Sequence, residues 1–178
     1  MDFSSARTMA FLFTDLEGST RLWEQFPDGM KNGLRRHDAI LRAAVEASSG
    51  EVVKTTGDGM MAVFGSAVDA AAASLSAQRD LAHEPWGETA TLRVRMGLHA
   101  GQAEQRAGDF FGPTVNRTAR IMAAGHGGQV LFSASAAALA SEGGGPARPA
   151  SRLRRTGASS PRQLFWRLGR PLACSADR

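Results

Sequence analysis

Three polar clusters in this chain contain residue types that suit phosphate chemistry. Asp15 follows an apolar run and precedes the polar turn 16–20, a second cluster occupies 54–59, and a third extends over 109–120. A carboxylate beside the backbone N–H groups of a helix start suits a metal ion and a polyphosphate. The third cluster adds an amide and an arginine, whose permanent charge suits phosphate oxygens.

Each cluster also has an ordinary structural explanation. Ser19 or Thr20 could cap a helix, and Asp58-Gly59 is typical of a hairpin turn. Asn116 and Arg120 are one helical turn apart and could belong to a solvated helix face. Together, however, the clusters contain two aspartates, an amide-rich turn, a lysine and an arginine. That combination is what nucleotide phosphoryl chemistry requires.

The elements that position these residues follow from the apolar pattern. Strands alternate with helices, which indicates an α/β or α+β sandwich with helices against one sheet. The strict alternation of 92–98 predicts a half-buried strand, with Arg93 and Arg95 on the face opposite the apolar residues. We expect strands at 9–14, 92–98 and 129–132, a hairpin at 51–64, helices at 31–48, 67–82, 114–124 and 135–140, a helix end at Gly50 and a loop at 108–113.

The composition is that of a globular domain. The 178 residues are 43% hydrophobic and 21% charged, which excludes wholesale disorder. The single cysteine, Cys174, cannot form an internal disulfide or a metal cluster. We see neither an apolar run of about 20 residues nor a signal peptide, so we expect a cytoplasmic protein without a membrane partner.

The positive charge is concentrated at the end of the chain. Residues 141–178 contain eight arginines against Glu142 and Asp177, so the net charge of +4 leaves the first 140 residues at −2. This distribution argues against a nucleic-acid partner that binds the whole surface. Because 143–146 is a glycine-proline linker, we expect a catalytic domain over 1–140. A degenerate tail rich in Gly, Pro and Arg over 141–178 would follow, with 164–166 packed on the domain as a late strand.

Four segments carry a resemblance to a known family. They are Phe13 to Thr20, Lys54 to Gly59, Arg95 to Gly101 and Asp109 to Arg120. In this order the chain resembles the catalytic domain of class III nucleotidyl cyclases, the adenylate and guanylate cyclases. The resemblance covers about 9–140 and implies a ferredoxin-like, palm-type fold of class α+β. In such an α/β sandwich, helices pack on a mostly antiparallel sheet.

The resemblance also implies a role for each matching residue. Two divalent cations, Mg²⁺ or Mn²⁺, would bind at the two aspartates, and a homodimer would have two shared sites. Arg120 would stabilise the transition state. The implied roles are metal binding by Asp15, Asp58 and the backbone of Leu16; triphosphate binding by the turn Leu16, Glu17, Gly18, Ser19 and Thr20; adenine recognition by Lys54 and Asp109; ribose positioning by Asn116; and a structural role for His99.

The base-reading pair makes independent chemical sense. A carboxylate such as that of Asp109 accepts a hydrogen bond from adenine N6, and the lysine ammonium of Lys54 donates to N1. Guanine presents the opposite pattern, so ATP is the expected substrate. The leading interpretation is therefore an adenylate cyclase that makes 3′,5′-cyclic AMP and pyrophosphate. The alternatives are a nucleotide-binding regulatory module with weak or lost activity, a diguanylate cyclase, and nucleic-acid binding through the tail.

Overall fold

The computed structural model describes residues 7–87 and 91–142, together with the backbone of 153–156 and 165–168. Helices and strands alternate along the described chain. In order they are β1 (Met9–Leu16), α1 (Ser19–Gln25), α2 (Pro27–Ala47), β2 (Gly50–Thr56), β3 (Gly59–Phe64), α3 (Ala67–His83), β4 (Val94–Gly101), β5 (Glu104–Arg106), β6 (Asp109–Phe111), α4 (Pro113–Ala123), β7 (Val130–Phe132), α5 (Ala134–Glu142), β8 (Leu153–Thr156) and β9 (Phe165–Leu168).

One mixed sheet organises the molecule. Its strands lie in the order β2-β3-β1-β4-β7-β9-β8, and β5 and β6 form a separate two-stranded ribbon. The pairs β1–β3, β1–β4 and β2–β3 are antiparallel, whereas β4–β7 is parallel. The expected mostly antiparallel α+β sheet with packed helices is confirmed.

The two faces of the sheet are covered differently. On the first face, alternate side chains such as Leu12, Met96 and Leu98 are buried under α2, α3 and α5 in the main core. On the second face, Phe11 and Met61 belong to a smaller cluster that also includes Val63 and Phe110. Strand alternation therefore assigns Asp15 and Arg95, which share parity with Phe11, to the second face.

Helix α4 lies directly on β4 because two glycines remove the side chains between them. A Cβ at Gly97 would overlap the backbone of Met122, and one at Gly101 would lie 2.9 Å from the Thr114 hydroxyl. The Thr114 hydroxyl also donates to the Gln102 carbonyl. The close approach fixes the helix that contains Asn116 and Arg120 against the strand that contains Arg95.

Three local expectations were wrong. Gly18 is the N-cap of α1, with φ 71°, and neither Ser19 nor Thr20 caps it with a side-chain hydrogen bond. The residue with a left-handed backbone after α2 is Ser49, with φ 55°. Gly50 is instead the first residue of β2. Glycine is required there because any Cβ would overlap the Phe64 ring. Part of the expected loop 108–113 forms β6, since Arg106 pairs with Asp109 across a tight turn.

Two strands from the tail extend the main sheet beyond β7. Strand β9 pairs with β7, and β8 pairs with β9. The linker at 143–146 and the remainder of the tail lie outside the described residues. None of the helices in the described ranges combines the length and apolar content needed to cross a bilayer.

Candidate active site

The two predicted metal ligands lie at neighbouring points of the sheet. Asp15 is near the end of β1, and Asp58 is in the turn between β2 and β3. The register pairs Thr14 with Met60, and a Cβ at Gly59 would lie only 2.7 Å from the Thr14 carbonyl oxygen. Close packing of the hairpin turn on β1 thus brings the two aspartates to one end of the sheet.

The surroundings of the Asp58 carboxylate suit a bound cation. Its Oδ2 atom is buried and has no hydrogen-bond partner among the described residues. A buried carboxylate oxygen without a partner is costly, and a hard divalent cation supplies the missing interaction. Across the described ranges, no group of three or more His, Cys, Asp or Glu residues forms a metal site, so further oxygen ligands would have to come from bound phosphates or water.

Arg95 is the partner of the other aspartate. Its Nη2 and Nε atoms lie 2.5 and 2.8 Å from Asp15 Oδ2. The two residues face each other in the β1–β4 register. Sequence reasoning did not assign Arg95 to the site, although alternation had put it on the correct face. Only the strand pairing showed that it lies opposite Asp15.

The predicted phosphate turn has N–H groups that are not used by hydrogen bonds within α1. The Glu17 N–H donates to the Arg93 carbonyl at 2.9 Å, so it is already occupied. The first helical bond of α1 runs from the Leu22 N–H to the Gly18 carbonyl. The N–H groups of the preceding first turn, Ser19 and Thr20 among them, have no partner within the helix and are therefore the donors that an anion could use.

The predicted base-reading pair is brought together. Lys54 Nζ lies 2.5 Å from Asp109 Oδ2, and the Phe110 N–H donates to Asp109 Oδ1 at 2.8 Å. The hydrogen bond from Lys54, followed by the one from the Phe110 N–H, lowers the pKa of Asp109. Asp109 is therefore ionised at neutral pH and acts only as a hydrogen-bond acceptor.

The two α4 residues are not joined to either group. Thr114, Thr118 and Ile121 are the buried side of the helix. Asn116 and Arg120 are exposed, and no hydrogen bond or ion pair within the described ranges links them to Asp15, Asp58 or Asp109. Within one copy of the chain, neither residue of the α4 pair is bonded to these carboxylates in the described ranges.

His99 has the contacts of a structural residue. It is 8% exposed, and its Nδ1 lies 2.7 Å from the hydroxyl of Ser133. The same hydroxyl accepts from the Ala136 N–H in the first turn of α5. Burial, followed by the positive charge of Arg117, lowers the pKa of His99. Its neutral ring therefore joins β4 to the start of α5.

Comparison with known proteins identifies the class. The family model described as "Adenylate and Guanylate cyclase catalytic domain" matches residues 1–157. An uncharacterized protein of Mycobacterium tuberculosis is 38% identical over 130 residues, which cover 72% of this chain and 43% of that protein. An adenylate cyclase of Lachancea kluyveri is 34% identical over 151 residues, covering 70% of this chain and 8% of that enzyme. The chain therefore spans less than half the length of these relatives.

Solved cyclase structures have the same fold. An adenylate cyclase structure from Trypanosoma brucei in its monomeric state has a TM-score of 0.78 at 24% identity, and the match covers 90% of this chain and 89% of that one. A structure described as an adenylate/guanylate cyclase/hydrolase from Silicibacter pomeroyi has a TM-score of 0.74 at 25% identity, with 91% and 96% covered. The chain belongs to the family of adenylate and guanylate cyclase catalytic domains. This membership decides against a diguanylate cyclase.

Proposed function

We propose that this chain is an adenylate cyclase that converts ATP to 3′,5′-cyclic AMP and pyrophosphate at two equivalent sites shared by a homodimer. The ribose 3′-hydroxyl gives its proton to water, and its oxygen forms a bond to the α-phosphorus. The bond from that phosphorus to the oxygen bridging to the β-phosphate breaks, and pyrophosphate leaves.

The Lys54–Asp109 pair carries the choice of ATP. Asp109 is ionised because Lys54 and the Phe110 N–H both lower its pKa. An acceptor-only carboxylate suits the N6 amino group of adenine and opposes the O6 atom of guanine. The neighbouring Lys54 ammonium, 2.5 Å away, suits the adjacent N1 acceptor. The two charged groups are close enough together to bond both N6 and N1, which are neighbours on the same edge of adenine.

Asp15 and Asp58 are the proposed cation ligands, with the Leu16 carbonyl beside them. Two bound divalent cations, Mg²⁺ or Mn²⁺, would lower the pKa of the 3′-hydroxyl and neutralise negative charge on the phosphates. The Asp58 Oδ2 atom, which is buried and has no hydrogen-bond partner among the residues that the structure describes, supports this role. The N–H groups of the turn 16–20 that make no hydrogen bond within α1, those of Ser19 and Thr20 among them, would hold the triphosphate.

The lack of bonds between the α4 pair and the aspartates supports the proposal of a shared site. Asn116 would orient the ribose, and Arg120 would neutralise charge that develops on the α-phosphate. Both side chains are exposed on α4, as expected for groups that complete a site on a second copy. The second face is also incompletely covered, because Met9 and Phe13 are only partly buried beside the Phe11 cluster and Phe111 is 44% exposed.

A product assay tests this function directly. The purified chain is incubated with Mn²⁺ and either ATP or GTP, and cyclic nucleotides are measured by mass spectrometry. We expect cyclic AMP in excess over cyclic GMP, and no product with the Asp58→Ala variant. Predominant cyclic GMP would contradict the base assignment. ATP binding without product would identify the chain as a nucleotide-binding regulatory module instead.

A further inference from the structure

Arg95 occupies one of the two carboxylate oxygens that Asp15 could offer to a cation. Both of its contacts, from Nη2 at 2.5 Å and Nε at 2.8 Å, reach Oδ2 of the same carboxylate. The side chains of Arg95 and Asp15 are 32% and 27% exposed, so water screens the pair only in part. Hydrogen bonds between such charged groups are stronger than neutral ones.

The guanidinium of Arg95 lies where its positive charge offsets repulsion between two carboxylates. Asp15 and Asp58 are held at one end of the sheet by the packing of Gly59 on Thr14, and the Asp58 Oδ2 atom has no partner within the described residues. Two carboxylates held close together repel each other, and a neighbouring positive charge lowers that cost. The same positive charge repels an arriving divalent cation and competes with it for Asp15 Oδ2.

We propose that Arg95 is a resident counter-ion of Asp15 that keeps the affinity of the nucleotide-free chain for a divalent cation low. This inference rests on the proposed role of Asp15 as a cation ligand. Its consequence is that a cation binds well only when an anion, such as the phosphates of the substrate, draws the guanidinium away from the carboxylate. Arg95 would then couple cation binding to nucleotide binding.

Binding of Mn²⁺ alone to the full chain, without nucleotide, tests the proposal. Free Mn²⁺ is measured by electron paramagnetic resonance with the unaltered chain and with Arg95→Gln. We expect Arg95→Gln to bind Mn²⁺ at least about tenfold more tightly, the ratio that corresponds to one hydrogen bond to a charged group. Arg95→Lys, which keeps the charge but not the two-donor geometry, should be intermediate and provides a second test if Arg95→Gln fails to fold.

Two further variants make the result specific. Arg93 lies two residues before Arg95, and its side chain is exposed. Arg93→Gln removes the same charge there and should leave the Mn²⁺ affinity close to that of the unaltered chain. Adding Asp15→Asn to Arg95→Gln should abolish the gain. An equal gain in Arg93→Gln would mean that only overall charge matters, and the proposal would be wrong.

The remaining outcomes separate the inference from the proposed function. If Mn²⁺ binding depends on Asp15 but is equal or weaker in Arg95→Gln, the counter-ion role is overturned while the cation site stands. If no variant binds Mn²⁺ in a manner that depends on Asp15 or Asp58, the cation assignment itself fails, and the inference fails with it.

Discussion

Lys54 and Asp109 are 55 residues apart in the chain, yet their Nζ and Oδ2 atoms lie 2.5 Å apart. The pair joins β2, at the edge of the main sheet, to β6 of the separate ribbon. It is an ion pair between two partly exposed side chains, 40% and 30% exposed. Pairs of this kind contribute little to stability, so the role in base recognition proposed for this pair is the more informative one to test.

Base selection should change when the charges of this pair are changed. In the double variant Lys54→Glu/Asp109→Cys, the glutamate can accept hydrogen bonds from guanine N1 and N2, and the repulsion of O6 by Asp109 is gone. The ratio of kcat/KM for ATP to kcat/KM for GTP should fall at least about tenfold, as expected for one lost charge-assisted hydrogen bond. Steady-state kinetics with both nucleotides measure the ratio.

The exposed pair Lys31–Asp28, with its atoms 2.9 Å apart, provides a matched control. Lys31→Glu/Asp28→Cys makes the same chemical changes on α2 and should leave the ratio as it is. An unchanged ratio in the Lys54/Asp109 variant would show that this pair does not read the base.

Loss of either proposed metal ligand, Asp15 or Asp58, should abolish turnover. Asp15→Ala and Asp58→Ala should each reduce cyclic AMP formation at least about a hundredfold, because one carboxylate cannot hold two cations against phosphate repulsion. Excess chelator should have the same effect on the unaltered chain. Circular dichroism should remain native, and Asp80→Ala, on the exposed side of α3, should retain activity. Near-normal turnover in either aspartate variant would refute the assignment.

Two inactive variants should restore activity when they form mixed dimers. Asp15→Ala and Arg120→Ala damage different sets, so one of the two sites in a mixed dimer combines an intact Asp15 with an intact Arg120. By counting from two-fold symmetry, an equal unfractionated mixture should recover up to roughly a quarter of the original activity. Co-expression with two different tags allows the mixed dimers to be purified and assayed. Verified mixed dimers without activity would exclude the shared site.

The close approach of α4 to β4 should not tolerate a methyl group. In Gly97→Ala the new Cβ overlaps the backbone of Met122, and α4 must move away from the strand. We expect the free energy of unfolding to fall by about 1–3 kcal/mol, the usual cost of overpacking. Gly65→Ala is the control, because its nearest atom, Arg7 Nη2, would be 3.7 Å from the new Cβ. Urea denaturation measures both, and equal stabilities would contradict the packing argument.

Acid should destabilise the protein through His99. Because burial and Arg117 lower its pKa in the folded state, the unfolded chain binds the proton first as the pH falls. The stability that neutral His99 contributes is complete above its ordinary pKa of about 6.5 and is lost as the pH falls from there toward the folded value. The free energy of unfolding should therefore decline less steeply below about pH 6.5 in His99→Gln than in the unaltered chain.

His126 provides the comparison for that pH series, since its side chain is 80% exposed. His126→Gln should follow the pH dependence of the unaltered chain. Parallel curves for the unaltered chain and His99→Gln would mean that His99 does not carry the acid effect.

Local sequence patterns predicted most elements of the described domain and the order of its motifs. The alternation at 92–98 identified the buried face of β4, where Val94, Met96 and Leu98 are 0 to 1% exposed. The Gly57-Asp58-Gly59 turn was recognisable because few residues other than glycine adopt the left-handed conformation that Gly57 has, with φ 66°. Such features depend on neighbours a few residues away, which a sequence shows directly.

Where two distant segments meet was decided only by the tertiary structure. Asp15 and Arg95 are 80 residues apart, and their ion pair exists because the β1–β4 register sets them opposite each other. The sequence predicted a loop at 109–111, where the structure has a strand. The strand is stabilised by pairing with Glu104 to Arg106 and not by its own composition, so the local sequence does not indicate it. Register is a property of the whole sheet, because a slip of one residue moves every side chain to the other face. The residue types of the site are therefore visible in the sequence, whereas the partner of each carboxylate is determined by the packing of the strands.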